Sequence, residues 1–333
     1  MSFLSIRNLS KEYAHHCVVD DINFTIEQGE FLSLLGPSGC GKSTTLNMIA
    51  GLESPTLGKI HLGNKDITHL PPGKRELSMV FQSYALFPHL SVKENILFGL
   101  KARRVNKQEQ TKRLKHAIEL VSLEEHLNKK PSQLSGGQCQ RVALARSIAS
   151  QAPLCLMDEP LSNLDTKLRN EMRNELRHLQ KSLGLTVVYV THDQIEAMSM
   201  ADKIILLNQG KVEQQGSPES FYQAPESTFV ASFIGHPPMN FMTGDEHIIG
   251  VRPEHIEVQE VGHQAKINNC DYQGAATIIN VDVISGPFKG SKDIQLSLMG
   301  KHQLTEGSHL NIHWSEQKQH LFSKSTGKRI ASF

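Results

Sequence analysis

Short apolar runs alternate with amphipathic segments through the first two thirds of the chain. Largely apolar runs of four or five residues lie at 31–35, 154–157 and 186–190. Such runs predict buried strands of a parallel sheet. Between the second and third runs, apolar residues recur at steps of three or four, at Leu168, Met172, Leu176, Leu179 and Leu183. This spacing predicts an amphipathic helix, and strand, helix and strand in succession indicate an α/β domain.

A second helical pattern precedes these later strands. Leu114, Ile118 and Val121 repeat the helical spacing within a charged stretch that begins near Gln108. We therefore expect a helical segment between the early and the late strands. An ordinary surface helix accounts for all of these residues.

The pattern changes after Gly235-His236-Pro237-Pro238, where glycine and two prolines interrupt any helix. Beyond this segment apolar and polar residues alternate, and the apolar positions are Ile279, Val281 and Val283, then Ile294, Leu296 and Leu298, then Leu310, Ile312 and Trp314. Alternation predicts half-buried strands, here in a small all-β domain of barrel or sandwich type. We predict two domains, residues 1–235 and 236–333.

Length and composition agree with two domains and exclude several classes of function. The 333 residues are enough for two cores. Lys and Arg total 35 against 34 for Asp and Glu, so we expect no nucleic-acid partner. The chain has no apolar run long enough to span a membrane and no secretory signal, which predicts a cytoplasmic protein. Its five scattered cysteines predict reduced thiols.

A glycine-rich segment follows the first apolar run. Residues 36–43 fit the phosphate-loop pattern G-x-x-x-x-G-K-[ST], and helical-looking residues follow. Backbone N–H groups of such a loop point at phosphate oxygens, its lysine holds the β- and γ-phosphates, and its serine supplies an oxygen to Mg²⁺. The expected nucleotide-binding residues are Gly36, Pro37, Ser38, Gly39, Cys40, Gly41, Lys42, Ser43 and Thr44.

Two adjacent carboxylates, Asp158 and Glu159, end the second apolar run. This places them at the carboxyl edge of the predicted sheet, where open α/β sheets bind ligands. We expect Asp158 to reach the Mg²⁺ shell and Glu159 to polarise the attacking water. Together with the phosphate loop, these residues indicate a nucleotide hydrolase or a kinase.

The segment Leu134-Ser135-Gly136-Gly137-Gln138 favours one class of hydrolase. With residues 139–146 it resembles the signature sequence of ATP-binding-cassette ATPases. Further landmarks of that family follow the same order along the chain, namely Tyr13, the phosphate loop, Gln82, the signature, Asp158-Glu159, Ser162-Asn163-Leu164-Asp165 and His192. The signature argues against a simple kinase.

The resemblance implies a phosphate-loop cassette domain with a helical subdomain, binding ATP and Mg²⁺ as a homodimer. Ser135, Gly137 and Gln138 of one subunit would cap the ATP held by the partner's phosphate loop. The remaining implied roles are adenine stacking for Tyr13, the Mg²⁺ site and its link to a membrane partner for Gln82, γ-phosphate contact for His192, and contact across the dimer for Asp165. The expected catalytic residues are Glu159, His192 and Gln82.

Three further segments, 79–92, 235–240 and 250–255, resemble importers for maltose and sn-glycerol 3-phosphate that carry a C-terminal transport-associated OB-like domain. This implies two transmembrane permease subunits, an external solute-binding protein and a peripheral position on the cytoplasmic face of the inner membrane. Importers of polyamines, iron or phosphonates stay open as alternatives, as does a soluble cassette ATPase of DNA repair or translation. Cys139 and His236 depart from the family pattern without touching an expected phosphate or metal contact.

Two expectations concern single side chains. Tyr84, Phe87 and Pro88 are expected to form a patch that binds a short helix of a membrane subunit.

Cys40 lies in the phosphate loop near Lys42 and a helix N-terminus, which favours the reactive thiolate. The alternative for Cys40 is a sulfur that points into the domain as a small hydrophobic group.

Overall fold

The structure, a computed structural model, describes residues 2–14 and 16–330. Its contacts divide the chain into two units, Met1–Pro218 and Glu219–Phe333. The division falls before the glycine–proline break near residue 235, because the segment in between is bound to the second unit. There the backbone N–H of Arg329 donates to the Glu226 carbonyl at 2.8 Å.

The first unit combines two sheets with a group of helices. Its strands are β1 (Leu4–Tyr13), β2 (His16–Ile26), β3 (Phe31–Leu35), β4 (Leu57–Leu62), β5 (Lys65–Asp66), β6 (Leu77–Val80), β7 (Leu154–Asp158), β8 (Thr186–Thr191), β9 (Lys203–Asn208) and β10 (Lys211–Gly216). Its helices are α1 (Lys42–Ala50), α2 (Val92–Ala102), α3 (Lys107–Val121), α4 (Gly136–Ser150), α5 (Thr166–Leu183) and α6 (Gln194–Met200).

The larger sheet places the predicted apolar runs side by side. Its strand order is β10-β9-β3-β8-β7-β6, with β6, β7, β8, β3 and β9 parallel and β10 antiparallel to β9. Every residue of β3 and β8 is buried. The three predicted strands are therefore confirmed, and their carboxyl ends meet at one edge.

The predicted helices are confirmed as α3 and α5. In α5 the apolar stripe buries Met172, Leu176 and Leu179, whereas Leu168 and Leu183 near its two ends are half-buried. Helix α3 buries its apolar positions as well, and it packs with α2 and α4 in a helical layer. Helix α4, which begins in the signature segment, and helix α2, which follows the Gln82 segment, therefore belong to the same helical layer.

The second sheet of this unit, in the order β2-β1-β4-β5, is antiparallel, and the sequence analysis did not anticipate it. Its first strand is irregular, since the pairing register shifts between Ile6 and Leu9. Asn8 lies between them with φ of 48°. Such bulges break the strict alternation by which a strand is recognised.

The second unit is mainly β, as predicted. Its elements are α7 (Pro218–Gln223), α8 (Thr228–Phe233), β11 (Asn240–Thr243), β12 (His247–Val251), β13 (Glu257–Gln259), β14 (His263–Tyr272), β15 (Ala276–Val283), β16 (Ile294–Met299), β17 (His309–His313) and β18 (Gln319–Ser323). The strands form sheets β11-β12-β18 and β13-β17-β14-β15-β16. Ile279, Val281 and Ile312 lie in the core, as their alternation predicted. Among residues 2–14 and 16–330, no helix combines the length and apolar character needed to cross a bilayer.

Candidate active site

The phosphate-loop residues 36–43 connect the buried strand β3 to helix α1. The backbone takes left-handed φ values at Gly36, Gly39 and Gly41, of 151°, 78° and 102°. At Gly36 an added Cβ would lie 2.3 Å from the Leu207 carbonyl oxygen. Only glycine combines this conformation with such a close approach of the backbone. The loop therefore curls tightly in front of α1, as the motif predicts.

A single buried cation lies within this curl. Lys42 is 6 % exposed, and its Nζ donates to the carbonyls of Gly36 at 2.8 Å and Pro37 at 2.9 Å. The ammonium therefore stands among the backbone groups of the loop and at the first turn of a helix. An anion with several oxygens, such as a polyphosphate, suits this environment.

Two oxygen ligands meet beside the lysine. The Ser43 hydroxyl donates to Asp158 Oδ1 at 2.9 Å, joining the first turn of α1 to the end of β7. Burial raises the pKa of the Asp158 carboxyl, while the Ser43 hydrogen bond opposes the rise. Hydroxyl and carboxylate oxygens are the ligands that Mg²⁺ prefers. This pair therefore fits a magnesium ion shared with bound phosphates.

The expected catalytic residues are joined by hydrogen bonds. His192 Nδ1 lies 3.1 Å from Glu159 Oε1. Ser162 Oγ donates to the Glu159 carbonyl at 2.8 Å and accepts from Gln82 Nε2 at 3.2 Å. Gln82 is further held by Asn163, whose Nδ2 donates to its carbonyl at 2.9 Å. The fold therefore brings Gln82, Glu159 and His192 into one cluster beside Asp158.

A small cavity adjoins the Glu159 and His192 side chains. Its volume is about 30 Å³, and its lining includes Glu159, Ser162, His192 and Asp193. This is room for roughly one water molecule, with polar partners around it. Glu159 has φ of 42°, which turns the chain sharply after Asp158 and separates the directions of the two carboxylates. The arrangement suits one carboxylate that holds a metal and another that orients water.

The signature segment forms the N-terminal cap of helix α4. Ser135 begins α4, and its Oγ accepts from Gln138 N at 3.3 Å while its own N–H donates to Gln138 Oε1 at 2.9 Å. At Gly137 an added Cβ would lie 2.9 Å from the Leu168 side chain of α5. Asp165 begins α5 and accepts from Leu168 N at 3.0 Å. The structure therefore places Ser135, Gly137, Gln138 and Asp165 together.

The signature segment is not hydrogen-bonded to the phosphate loop of its own chain. Across residues 2–14 and 16–330, no hydrogen bond joins segment 135–138 to segment 36–43. Ser135 and Gly136 are exposed.

Tyr13 lies at the end of β1, 44 % exposed, with Lys11 Nζ 4.7 Å from its ring centroid. Partial burial and nearby Glu53 raise the pKa of its hydroxyl. The other face of an exposed ring is available for stacking on a planar base.

The structure contradicts the expected reactivity of Cys40. Its side chain is only 3 % exposed and belongs to the hydrophobic core. Burial raises the pKa of the thiol, although Lys42 opposes the rise. Because desolvation outweighs the nearby cation, the thiol form is favoured, and Cys40 acts as a small hydrophobic group.

A groove of about 500 Å³ lies beside the Gln82 segment. We call it the apolar groove; its lining residues include Leu52, Met79, Phe81, Phe87, Phe98 and Arg146. Phe87 packs on Phe98 with ring centroids 4.2 Å apart. Of the predicted patch, Phe87 lines the groove, whereas Tyr84 is half-buried with its hydroxyl oxygen 3.8 Å from a Cβ added at Gly136, and Pro88 is exposed outside the lining.

Several supporting residues received no role in the sequence analysis. Ser162 and Asn163 hold Gln82, and Arg146 donates to the carbonyls of Tyr84 at 3.0 Å and Ala85 at 2.8 Å. Tyr84 and Ala85 both have left-handed φ values, of 63° and 45°. Ser162, Asn163 and Arg146 all lie in segments that resemble the family, residues 139–146 and 162–165, but the resemblance gave them no individual role.

Comparison with protein families agrees with this geometry. Residues 19–162 match the family described as ABC transporter, and residues 249–322 match the TOBE domain. The chain is 41 % identical over 355 residues to the sn-glycerol-3-phosphate import ATP-binding protein UgpC of Ruegeria pomeroyi, covering 99 % of this chain and 100 % of the relative. It is also 41 % identical over 377 residues to the trehalose/maltose import ATP-binding protein MalK of Thermococcus litoralis, with coverage of 99 % and 100 %.

Solved structures with a similar fold include CbiO1 of Clostridium perfringens, part of the ABC transporter complex CbiONQ. It superposes with a TM-score of 0.61 at 30 % identity, over 66 % of this chain and 90 % of that chain. The ATP-binding cassette MJ0796, a dimer in a post-hydrolysis state bound to ADP and Pi, gives a TM-score of 0.57 at 35 % identity, over 65 % of this chain and 98 % of that chain.

Proposed function

Because the chain belongs to the ABC transporter family, we propose that it is the ATP-hydrolysing subunit of an importer for a sugar or a glycerol phosphate. ATP with Mg²⁺ is the substrate. The solute class is supported by relatives named for the import of sn-glycerol 3-phosphate and of trehalose or maltose. The proposed ATP hydrolysis rests on the cluster of Gln82, Glu159 and His192 next to Asp158.

We assign the steps of hydrolysis to this chain's own side chains. Lys42 and the N–H groups of the phosphate loop bind the triphosphate. Ser43, Asp158 and Gln82 would hold Mg²⁺, which neutralises phosphate charge when it is bound with ATP. Glu159 orients the attacking water and accepts its proton, and His192 contacts the γ-phosphate, its ring placed by Glu159.

The second half of each ATP site comes from the partner in a homodimer. Ser135, Gly137 and Gln138 lie at the start of α4 without hydrogen bonds to their own phosphate loop. A serine hydroxyl and N–H groups at a helix start bind phosphate oxygens well. In the dimer they cap the ATP held by the opposite subunit, and Asp165 contacts the partner beside them.

The subunit binds membrane permease subunits through the apolar groove. A short helix with an apolar face fits a groove of about 500 Å³ that is lined by Phe87 and Phe98. Gln82 is close in sequence to this groove, and its hydrogen bond to Ser162 connects the groove to the catalytic cluster. We place the protein at the cytoplasmic face of the membrane, with an external solute-binding protein delivering the solute to the permease.

The ATPase assignment is tested with purified protein. Lys42→Ala should abolish binding of a fluorescent ATP analogue, because it removes the buried cation of the site. Release of phosphate with water as sole acceptor should require Mg²⁺. Activity that persists in Lys42→Ala would contradict the assignment.

The importer assignment is tested by co-purification with co-expressed candidate permease subunits. Phe87→Ser should reduce recovery of the complex while ATP binding by the isolated subunit is retained. Leu57→Ser is the matched control, since Leu57 is an apolar side chain 64 % exposed on β4 and outside the groove. Equal recovery of both variants would contradict docking at the groove.

A further inference from the structure

The side-chain amide of Gln138 has its two ends in different environments. Its Oε1 accepts from the backbone N–H of Ser135 at 2.9 Å. Its Nε2 lies 2.9 Å from Nε2 of His126. A backbone N–H can only donate, so the amide oxygen must face Ser135 and the amide NH₂ must face the imidazole. The orientation of the Gln138 side chain is therefore fixed by this network.

The same network determines the tautomer of His126. Because Gln138 donates, His126 Nε2 has to accept, and the ring proton has to lie on Nδ1. His126 Nδ1 is buried and has no hydrogen-bond partner. An unpaired buried N–H is costly in a folded protein. The hydrogen bond to Gln138 is therefore the contact that fixes the orientation of the imidazole ring.

The backbone around His126 is firmly anchored. His126 ends the 3₁₀ turn Glu124–His126, and its N–H donates to the carbonyl of Leu123, a fully buried residue, at 3.0 Å. The next residues are tied to the start of α2, where Lys93 N donates to the Leu127 carbonyl at 3.0 Å. The imidazole therefore projects from a fixed point toward the first turn of α4.

We propose that neutral His126 is a positioning residue for the signature segment: it holds the Gln138 amide whose oxygen binds Ser135. The inference rests on the proposed role of Ser135 and Gln138 in capping ATP across the dimer. Without the His126 acceptor the Gln138 amide is free to turn, its bond to the Ser135 N–H weakens, and the start of α4 loosens.

Other ionisable groups occur on the elements around this pair. They are Glu124 and Glu125 on the same turn, Lys129 and Lys130 after it, Lys93 and Glu94 on α2, and Cys139 and Arg141 on α4. Arg141 is paired with Glu175 at 2.8 Å, and Glu94 binds Ser91. Within residues 2–14 and 16–330, the only hydrogen bond of the His126 ring is the one to Gln138.

The experiment compares His126→Gln with His126→Leu in full-length protein that also carries Glu159→Gln. Glutamine places a carbonyl oxygen near the position of Nε2 and does not titrate, whereas leucine has no acceptor. At about pH 8, the ATP-dependent dimer dissociation constant should rise about fivefold in the leucine variant, as for loss of a helix cap. It should stay near the parent value in the glutamine variant.

Two further measurements exclude a merely structural role. His116→Gln, which changes an exposed histidine of α3, should leave the dimer dissociation constant at the parent value. The ¹⁵N spectrum of histidine-labelled protein, with the His126 signals identified by their loss in His126→Gln, should show the Nδ1–H tautomer.

Equal dimer affinity of the leucine and glutamine variants at about pH 8, or an Nε2–H tautomer, would overturn the role of His126. A parent protein that fails to dimerise with ATP refutes the proposed function instead. The tautomer still decides the His126–Gln138 contact in that case, because it is measured without nucleotide.

Discussion

Replacing Asn95 by alanine should loosen the segment that carries Phe87 into the apolar groove. Asn95 is fully buried in α2. Its Oδ1 accepts from Phe87 N at 2.8 Å, and its Nδ2 donates to the carbonyls of Phe87, Leu90 and Ser91 at 3.2, 3.1 and 3.1 Å. One amide therefore binds three backbone groups that α2 itself does not pair, and it also binds the Ser91 carbonyl, which accepts from Asn95 N at 2.9 Å.

The structure supports an estimate of the loss. About 1 kcal/mol for each of the bonds, reduced because they share one side chain, gives roughly 3 kcal/mol for local opening. Exchange of the Phe87 amide hydrogen should accelerate on the order of a hundredfold. The Lys93 amide, which donates to the Leu127 carbonyl at 3.0 Å, provides an internal control that should change little.

Hydrogen exchange read by fragmentation mass spectrometry or NMR measures both amides in one sample. Asn106→Ala is the matched control variant: it removes an asparagine that binds Glu109 N at the start of α3, away from the groove. The reasoning is refuted if Asn95→Ala folds and its Phe87 amide exchanges at the parent rate. It is also refuted if Asn106→Ala accelerates the Phe87 amide equally.

Three further predictions concern buried positions of the first unit. Gly36→Ala should lower the free energy of unfolding by about 4 kcal/mol or more, since its Cβ meets backbone, whereas Gly39→Ala, with open space around it, should cost about 1–2 kcal/mol in urea titrations. Brief alkylation and peptide mapping should label exposed Cys17 well before Cys40, because burial raises the pKa of the Cys40 thiol. Burial also raises the pKa of the Glu196 carboxyl, so the protonated form stabilises the fold and this contribution is lost as pH rises. The free energy of unfolding of Glu196→Gln should therefore exceed that of the parent at about pH 8, and the difference should shrink toward about pH 5.

Local motifs of the site could be predicted from the sequence because their geometry depends on adjacent residues. A strand that ends at Gly36, followed by glycines and a lysine, has few conformations available, and the structure places the lysine inside the loop. The same holds for Asp158 and Glu159 at the end of β7. Parallel strands with both faces buried leave a continuous apolar signal.

Contacts between distant segments could not be predicted in this way. Gln82 meets Ser162 across 80 positions of sequence, and Arg146 holds the turn at Ala85 across 61. Such pairs depend on how α4 packs on the sheet. The burial of the Cys40 sulfur also depends on packing: the motif correctly places it near Lys42, with Nζ 3.9 Å from Sγ, but does not show that it lies in the core.

We expect Glu159 to be needed for hydrolysis and not for ATP binding. Its side chain lies 3.1 Å from His192, and it directly follows Asp158, which accepts from Ser43. A carboxylate here suits orientation of the attacking water. Glu159→Gln is therefore examined with Mg²⁺ and ATP by light scattering after gel filtration, together with phosphate release. A stable ATP-bound dimer and almost no release of phosphate are expected. Hydrolysis at the parent rate by Glu159→Gln would show that this carboxylate is not needed for catalysis.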